Sequence, residues 1–379
     1  MVNNMKKYQI NSKQFLMLVF VYLFANEIIR GIYAIKLKQD TWIANLMGLA
    51  GSIIIFYLYL FIYKNNKGAN FKESIENILG KFFSKFVFLI YPLYFSFLSF
   101  LIIRDFMELS NTYLEPSIPY FILLFILLFT IYYNLRFGIE NIVRFAELLF
   151  LILVFTSLLT YTTILLVNEI KFENILPILE NGFRPLINPA FQMSYATPFG
   201  ETFALLIIYQ YVKDKEKKMK TPLLAILLGS IPFIIVTILN IVLIGSEDFG
   251  PTITPILYIA NLLDIRNFIQ RYDLIIIVFL GLNTFIKSCI LLYTSQHLIT
   301  STFKIKKENF VNFFVCILTF IPVFFIAKDY LKLIRFREDI FIPYVNLTFE
   351  FIIPIFLVIL SFIRKPKQKS KELETLSKI

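Results

Sequence analysis

The sequence is poor in charged residues, and this shortage argues against a soluble protein. Only 17% of the 379 residues are charged, whereas 58% are hydrophobic. A soluble domain is nearer one quarter charged and one half apolar. Several runs of about twenty residues carry almost no charge, and that length crosses ~30 Å of hydrocarbon. The composition therefore predicts an all-α integral membrane protein.

The sequence also lacks the residue patterns of most cofactor and catalytic sites. It contains two cysteines, Cys289 and Cys316, and a single histidine, His297. Two cysteines inside hydrophobic runs give neither a disulfide framework nor the spacing of metal ligands. The sequence has no glycine-rich phosphate loop and no Ser/His/Asp arrangement. We therefore expect no enzyme activity, no cofactor and no metal.

About ten hydrophobic segments are predicted to be transmembrane helices, and the charges between them predict the topology. Loops on the side of the N-terminus hold about 24 Lys and Arg, and those on the other side about 10. Because cytoplasmic loops carry the positive excess, both termini are predicted to be cytoplasmic. The net charge of +11 thus indicates topology, not nucleic-acid binding. The predicted helices are 14–34, 41–63, 82–107, 117–135, 143–167, 189–211, 221–245, 272–298, 309–327 and 341–363.

Residues 1–363 are accordingly expected to form a single transmembrane domain, followed by a basic cytoplasmic tail at 364–379. Two segments on the outer side, 168–190 and 246–271, are too rich in proline and polar residues to be simple connections. Either they cover a binding site as a lid or they lie flat at the membrane interface. The sequence leaves both alternatives open.

An interruption of predicted helix 6 is the strongest indication of a binding site. Residues Thr197, Pro198, Phe199, Gly200 and Glu201 follow one another near its middle. Proline removes a backbone donor and glycine adds conformational freedom, so backbone groups are freed at a depth where lipid cannot satisfy them. Transporters bind ions and charged substrates at such interruptions. A kinked packing helix is the alternative interpretation.

Predicted helix 1 carries a weaker interruption. Its polar residues Asn26 and Glu27 precede Arg30 and Gly31. Asn26 and Glu27 are candidate ligand-binding residues if this helix is broken. Glu27 and Arg30 lie three residues apart, so they could instead pair on one helical face.

Other charges fall inside predicted helices, where a bare charge costs roughly 2.5–3.5 kcal/mol on insertion scales. Lys287 lies one turn after Asn283 in helix 8, and Glu350 lies close to Pro354 in helix 10. We expect Lys287 to replace a coupling cation or to balance Glu201, with Asn283 and Glu350 in the same ion-pair or coupling group. For a further pair, Arg104 and Asp105, snorkelling to the outer interface is the expected explanation.

Four short motifs stand in order along the sequence: RFGIENIVRFAE at 136–147, ILP to ENG at 175–182, PFGE at 198–201 and QRYD at 270–273. Together they resemble the motifs of the spore germination permease family, the B subunits of GerA-type nutrient germinant receptors of endospore-forming bacteria. The resemblance extends over about residues 8–365.

The resemblance implies a fold of the amino acid/polyamine/organocation transporter superfamily. That fold is a five-plus-five inverted repeat with helices 1 and 6 broken and a ligand pocket around the breaks. The sequence departs from it in helix 1, which lacks a glycine-rich break. It departs again in helix 8, where Phe279, Leu280 and Gly281 stand in place of an expected Trp.

The resemblance also implies the function and the partners. The chain would bind a small nutrient such as an amino acid in the spore inner membrane. It would signal germination together with an A-type and a C-type receptor subunit. An ion-coupled amino acid transporter of the same fold is the alternative, and a membrane scaffold or channel component without a small-molecule site is the third.

Overall fold

The computed structural model describes residues 9–24, 33–66, 70–113, 119–167, 170–213, 220–249, 255–262, 272–322, 325 and 329–364, and these residues are mainly helical. The helices are α1 (Ser12–Phe24), α2 (Ala34–Leu37), α3 (Thr41–Lys64), α4 (Phe71–Leu79), α5 (Lys81–Tyr113), α6 (Tyr120–Leu135), α7 (Ile139–Val167), α8 (Arg184–Tyr195), α9 (Phe203–Tyr209), α10 (Lys220–Ile244), α11 (Ser246–Phe249), α12 (Pro255–Leu262), α13 (Tyr272–Phe303), α14 (Glu308–Phe320), α15 (Tyr330–Phe336) and α16 (Ile353–Ile363). Short 3₁₀ turns lie at Lys38–Asp40 and Phe172–Ile175.

The described helices include six that are long and apolar enough to cross a membrane. They are residues 34–64, 81–113, 139–163, 220–244, 274–303 and 330–363. Three shorter apolar helices lie at residues 12–24, 121–135 and 308–320. This confirms the predicted all-α membrane fold, whereas the count of ten spans stays a prediction.

One predicted helix differs from the observed ones in an informative way. Predicted helix 6, at 189–211, is two helices, α8 and α9, separated by residues 196–202. In predicted helix 1, residues 25–32, which include its predicted break, lie outside the described residues. In predicted helix 9, α14 covers the part up to Phe320, and residues 323–324 and 326–327 lie outside the described residues.

Residues Arg337–Ile352 form a π-helix that joins α15 to α16. In a π-helix each N–H bonds to the carbonyl five residues earlier, and the bond from Ile353 N to Thr348 O closes this segment. π-helical turns are usually single and frequently lie at functional sites. No residue pattern indicates this π-helix, which carries Asn346 and Glu350.

The most extensive helix interfaces join α5 with α13, α3 with α8, and α1 with α10. In the order of the predicted helices these pairs are 3 with 8, 2 with 6, and 1 with 7. If each helix number is replaced by the number five higher or five lower, the pair 3–8 is unchanged and the pair 2–6 becomes the pair 7–1. The set of three pairs is therefore unchanged. A five-plus-five repeat would produce that pattern, and both the repeat and the inverted arrangement of its halves stay predictions.

Two connections outside the long helices fix the ends of the bundle. An isolated parallel bridge pairs Ile10 with Val212, through Ile10 N to Tyr211 O (3.0 Å) and Lys213 N to Ile10 O (3.0 Å). At the other end, the loop 170–183 packs on the start of α3 and the end of α10. There Leu179 N bonds to Asp40 Oδ1 (2.9 Å) and Lys171 N to Val242 O (3.1 Å).

Candidate functional site

The interruption between α8 and α9 results from its local sequence. Pro198 has no N–H to continue the helical ladder. A Cβ on Gly200 would collide with the carbonyl carbon of Tyr195, so the chain can turn this tightly only at a glycine. Glu201 has a φ of +59°, a left-handed conformation that is uncommon outside glycine. Residues 196–202 therefore form a defined turn whose conformation is set by its own sequence, and they are not a frayed helix end.

Hydroxyl groups of neighbouring helices satisfy carbonyls that the interruption frees. Ser52 on α3 donates to Phe199 O (2.6 Å), and Tyr22 on α1 donates to Glu201 O (2.7 Å). Within the turn, Gly200 N bonds to Ala196 O at 2.7 Å. An unsatisfied carbonyl at this depth would be costly, so these hydroxyls stabilise the open backbone.

A buried ion pair lies at the interruption. Lys287 Nζ on α13 is 2.7 Å from Glu201 Oε2, and the two side chains are 0% and 5% exposed. The same ammonium lies 4.7 Å from the centroid of the Tyr22 ring, a favourable cation–π position. Asn346 Nδ2, on the π-helix, is 3.4 Å from Glu201 Oε1. Helix α13 and the π-helix thus contact the Glu201 carboxylate, α1 contacts the ammonium, and Lys287 balances Glu201.

A second carboxylate, Glu350, lies in the same region but has uncharged partners among the described residues. Its Oε2 accepts from Phe203 N at the start of α9 (3.0 Å) and its Oε1 from Tyr94 OH (3.1 Å). Tyr94 OH is also 3.2 Å from Asn346 Oδ1, and Tyr59 OH donates to the Glu350 carbonyl. Asn346 and Tyr94 therefore connect the two carboxylates.

Helix α13 also brings polar atoms beside Lys287 that have no hydrogen-bond partner within the described chain. These atoms are Asn283 Oδ1, Thr284 Oγ1 and Ser288 Oγ, and all three side chains are buried. Buried polar atoms are normally satisfied, so a group of three within about one turn requires an explanation. A bound polar ligand or water would supply the missing partners.

The structure brings together the predicted residues Thr197–Glu201, Lys287 and Glu350, and it places Asn283 one turn from Lys287. Asn26 and Glu27 lie outside the described residues. Sequence reasoning missed Tyr22, Tyr94 and Asn346, because a Tyr or Asn in an apolar helix does not reveal its distant partner. The ligand-binding role of all these residues stays a prediction.

The interpretation of Arg104 and Asp105 as snorkelling residues was wrong. Both are buried inside the bundle, at 2% and 9% exposure. Arg104 Nη1 pairs with Glu108 at 2.7 Å, and Asp105 accepts two bonds from Arg337, at 2.6 and 3.1 Å. Tyr330 OH donates to the same carboxylate at 3.0 Å. The partner of Asp105 lies 232 residues away, a pairing that the sequence did not indicate.

Metal ligation has no structural support in the described ranges, where no three His, Cys, Asp or Glu side chains come together. The cysteines Cys289 and Cys316 are free thiols, both buried. The polar chemistry of the described core is therefore that of ion pairs, hydroxyls and amides.

The fold is similar to that of a solved transporter. Mhp1, a nucleobase-cation-symport-1 family transporter solved in a closed conformation with bromovinylhydantoin bound, superposes with a TM-score of 0.61. The match covers 96% of this chain and 93% of Mhp1, at 15% sequence identity. An identity this low carries the fold and nothing about the substrate.

Sequence comparison identifies closer relatives. Spore germination protein KB of Bacillus subtilis (strain 168) is 26% identical over 334 residues, which are 88% of this chain and 90% of that protein. Spore germination protein YndE of the same strain is 22% identical over 346 residues, with the same coverage of 88% and 90%. The family profile described as spore germination protein matches residues 9–331. Because that match extends over most of the sequence and through the interrupted helix, this chain belongs to the spore germination protein family.

Proposed function

We propose that this chain is the membrane subunit of a spore nutrient germinant receptor, and that it binds a small nutrient at the interruption between α8 and α9. The observation that carries the proposal is the buried pair of Lys287 and Glu201 at 2.7 Å, in which Glu201 belongs to a non-helical backbone segment. Burying such a pair is costly, so a purely structural role would leave its position at the interruption unexplained.

The chemistry of the pair favours an amino acid as the nutrient. A zwitterion brings one ammonium and one carboxylate, which are the partners that Glu201 and Lys287 require. Binding could therefore exchange one internal ion pair for two pairs with the ligand and leave no buried charge alone. Asn283, Thr284 and Ser288 would supply further hydrogen bonds.

Signalling requires that the ligand bind two states of the protein with different affinity. The interruption is suited to this, because residues 196–202 break the helical hydrogen bonding between α8 and α9. The chain would work in the spore inner membrane with A-type and C-type receptor subunits and with both termini in the cytoplasm. We propose that residues 1–363 form one permease-like domain with a basic tail at 364–379, and that the chain is not an enzyme.

An ion-coupled amino acid transporter is the second candidate, and the similarity of the fold to Mhp1 favours it. The same pocket would then carry its ligand across the membrane, with Lys287 in place of a coupling cation. Uptake of labelled amino acids into vesicles that contain the purified chain separates the two candidates, because a sensor responds to ligand without accumulating it.

The first experiment is the release of dipicolinic acid from spores that lack the gene, each challenged with a single amino acid or sugar. We expect one nutrient response to disappear while the others persist. Spores with Glu201→Gln or Lys287→Met should lose the same response. If both variants reach normal protein levels and both keep a normal nutrient dose–response, the pocket is assigned incorrectly.

A further inference from the structure

The hydroxyl of Tyr94 on α5 lies between two side chains that both offer it an oxygen. Tyr94 OH is 3.1 Å from Glu350 Oε1 and 3.2 Å from Asn346 Oδ1. A hydroxyl carries one hydrogen, so it donates to one of these oxygens and not to both. The other oxygen must either remain without a donor or belong to a group that carries its own proton.

The pair of Lys287 and Glu201 determines how the Asn346 amide is oriented. Glu201 accepts from Lys287 Nζ at 2.7 Å, and an ionised carboxylate can only accept hydrogen bonds. Asn346 must therefore direct its amide nitrogen at Glu201 Oε1, 3.4 Å away. Its carbonyl oxygen then faces Tyr94 and has no other donor in the described part of the chain. Because buried carbonyls are normally satisfied, Asn346 takes the single hydrogen of Tyr94.

Glu350 fits the remaining position as a protonated acid. Its Oε2 accepts from Phe203 N at 3.0 Å, which is the role of a carbonyl oxygen. A hydrogen on Oε1 is directed at Tyr94 OH, which is free to accept it. The hydrogen bonds then run in one direction, from Glu350 to Tyr94, on to Asn346 and finally to Glu201. An ionised Glu350 would leave two acceptors competing for one hydrogen.

The charges around Glu350 lead to the same conclusion. Its side chain is 0% exposed, and the charged groups that act on it, Glu201 and Lys287, already balance each other. Every other titratable side chain that faces it among the described residues is an uncharged tyrosine, from α1, α3 or α5: Tyr22, Tyr59, Tyr91 and Tyr94. A buried carboxylate without a cation of its own is so costly that it neutralises instead.

We propose that Glu350 is a proton-binding site, which holds one proton taken from water inside the bundle. The proton makes Glu350 a hydrogen-bond donor to Tyr94, and through Asn346 it supports the carboxylate of Glu201. A proton, and not a metal cation, is therefore the ion that this second carboxyl takes up. The site does not depend on which nutrient binds at the Lys287–Glu201 pair.

The proton belongs to one arrangement of three elements. Helix α5 supplies Tyr94, the start of α9 supplies the N–H of Phe203, and the π-helix supplies Glu350. If α5 or α9 moves away, the acid loses a partner that satisfies its protonated form. The protonation of Glu350 is therefore linked to the packing of these elements around the interruption.

Infrared spectroscopy reads this protonation directly in the purified full-length protein, held in nanodiscs at neutral pH. A carboxylic acid has a C=O stretch that a carboxylate lacks, and the band moves when H₂O is replaced by D₂O. The spectrum of the unaltered protein minus that of Glu350→Gln should contain one such band. Asp105→Asn is the matched control, because Asp105 is a buried carboxylate paired with Arg337. That variant should remove carboxylate bands only.

Two further measurements test the partners and the ion. Tyr94→Phe leaves the acid but removes its acceptor, so the band should shift in frequency without disappearing. Replacing sodium by choline in the buffer should leave the band unchanged, because no metal cation occupies the site.

Thermal unfolding supplies an independent test on the same samples. The amide of Glu350→Gln offers the donor and the acceptor of a protonated acid, so the melting temperature should stay close to that of the unaltered protein. Glu350→Met has a similar length without these groups and should melt at a lower temperature.

Three results would overturn the proposal. Carboxylate bands in place of the acid band in the Glu350→Gln difference would show that Glu350 is ionised. An acid band present in choline and absent in sodium would show that the site takes a metal cation. If Glu350→Gln does not fold, Tyr94→Phe decides, and an acid band unmoved by that change would contradict the assigned bond. No nutrient is added in these experiments, so failure of this site is distinguishable from failure of the nutrient pocket.

Discussion

Among the described residues, the buried ion pairs Arg337–Asp105 and Lys287–Glu201 are built differently. Arg337 binds Asp105 through both ends of its guanidinium, and it connects α5 to the start of the π-helix. Lys287 binds Glu201 through a single contact, and the carboxylate belongs to a residue with a φ of +59° on a non-helical turn. Both pairs are largely inaccessible to solvent, so their difference is one of geometry and not of exposure.

The difference indicates which pair can change during function. A guanidinium matches a carboxylate in a rigid two-point fork, whereas an ammonium is a point charge on a flexible stem. The Arg337 pair also includes a bond from Nη2 to Leu101 O (3.2 Å) and one from Tyr330 to Asp105. We infer that the Arg337 pair fixes two helices together, while the Lys287 pair can exchange its partner.

The largest effect is expected when the Lys287 pair is broken from one side. Lys287→Met leaves Glu201 buried without its cation and should lower the free energy of unfolding by about 3–5 kcal/mol. Adding Glu201→Gln removes the stranded charge and should recover most of that loss, without restoring the nutrient response. Thermal unfolding of the purified variants measures the first effect and dipicolinic acid release the second. A double variant that regains normal germination would show that the pair is only structural.

Arg337→Lys tests the Arg337–Asp105 pair, because it removes the two-point guanidinium contact while keeping the positive charge. We expect a loss of about 1.5–3 kcal/mol in the free energy of unfolding, the value of one hydrogen bond to a charged group. The nutrient concentration at half-maximal germination should stay unchanged, since this pair is not expected to bind ligand. An equal shift in nutrient response for Arg337→Lys and the Lys287 variants would abolish the distinction between the pairs.

A glycine comparison tests whether the turn beneath Glu201 tolerates any side chain. Gly200→Ala places a Cβ against the Tyr195 main chain and should cost about 1–3 kcal/mol, as overpacking does. Gly281→Ala in α13 is the matched control, because its Cβ would meet only the ring tip of Phe106, 2.7 Å away. That ring can move, and alanine favours the helix. Thermal unfolding of the two variants should rank Gly200→Ala as the less stable.

The smallest effect is expected from the hydroxyl that links the two carboxylates. Tyr94→Phe removes the bonds to Glu350 and Asn346 but keeps the ring stacked on Phe349, with centroids 4.5 Å apart. We expect a loss of about 1 kcal/mol in stability. A change in the nutrient dose–response larger than this stability loss explains would place Tyr94 in the ligand pocket. Thermal unfolding and spore germination of the same variant supply the two values.

Much of this fold was readable from the sequence because long apolar runs determine helices directly. The predicted ends of helices 2, 7 and 8 lie close to those of α3, α10 and α13, although α13 continues to Phe303. The interruption at 197–201 was also predicted, since proline and glycine act on the local backbone. These helix ends and this interruption can be predicted from local sequence alone, because they do not depend on contacts between distant segments.

What the sequence left unpredicted depends on contacts between distant segments. The π-helix at 337–352 has the same apolar composition as an α-helix, so its altered hydrogen bonding is invisible in the residue pattern. Asp105 was predicted to lie at the membrane interface, because its partner Arg337 is too far away in the sequence to be recognised. The roles of Asn346 and Tyr94 likewise became apparent only when helices from opposite ends of the chain met.

The bridge between Ile10 and Val212 has a consequence for how this family can diverge. Its two bonds run between main-chain atoms, so almost any side chain at these positions preserves them. Mutational drift can therefore rewrite both segments while the start of the first helix stays tethered to the end of the interrupted one. Proline at position 10 or 213 is the exception, because it has no N–H to donate to Tyr211 O or Ile10 O. Selection at this point would be visible as the exclusion of one amino acid and not as the preservation of another.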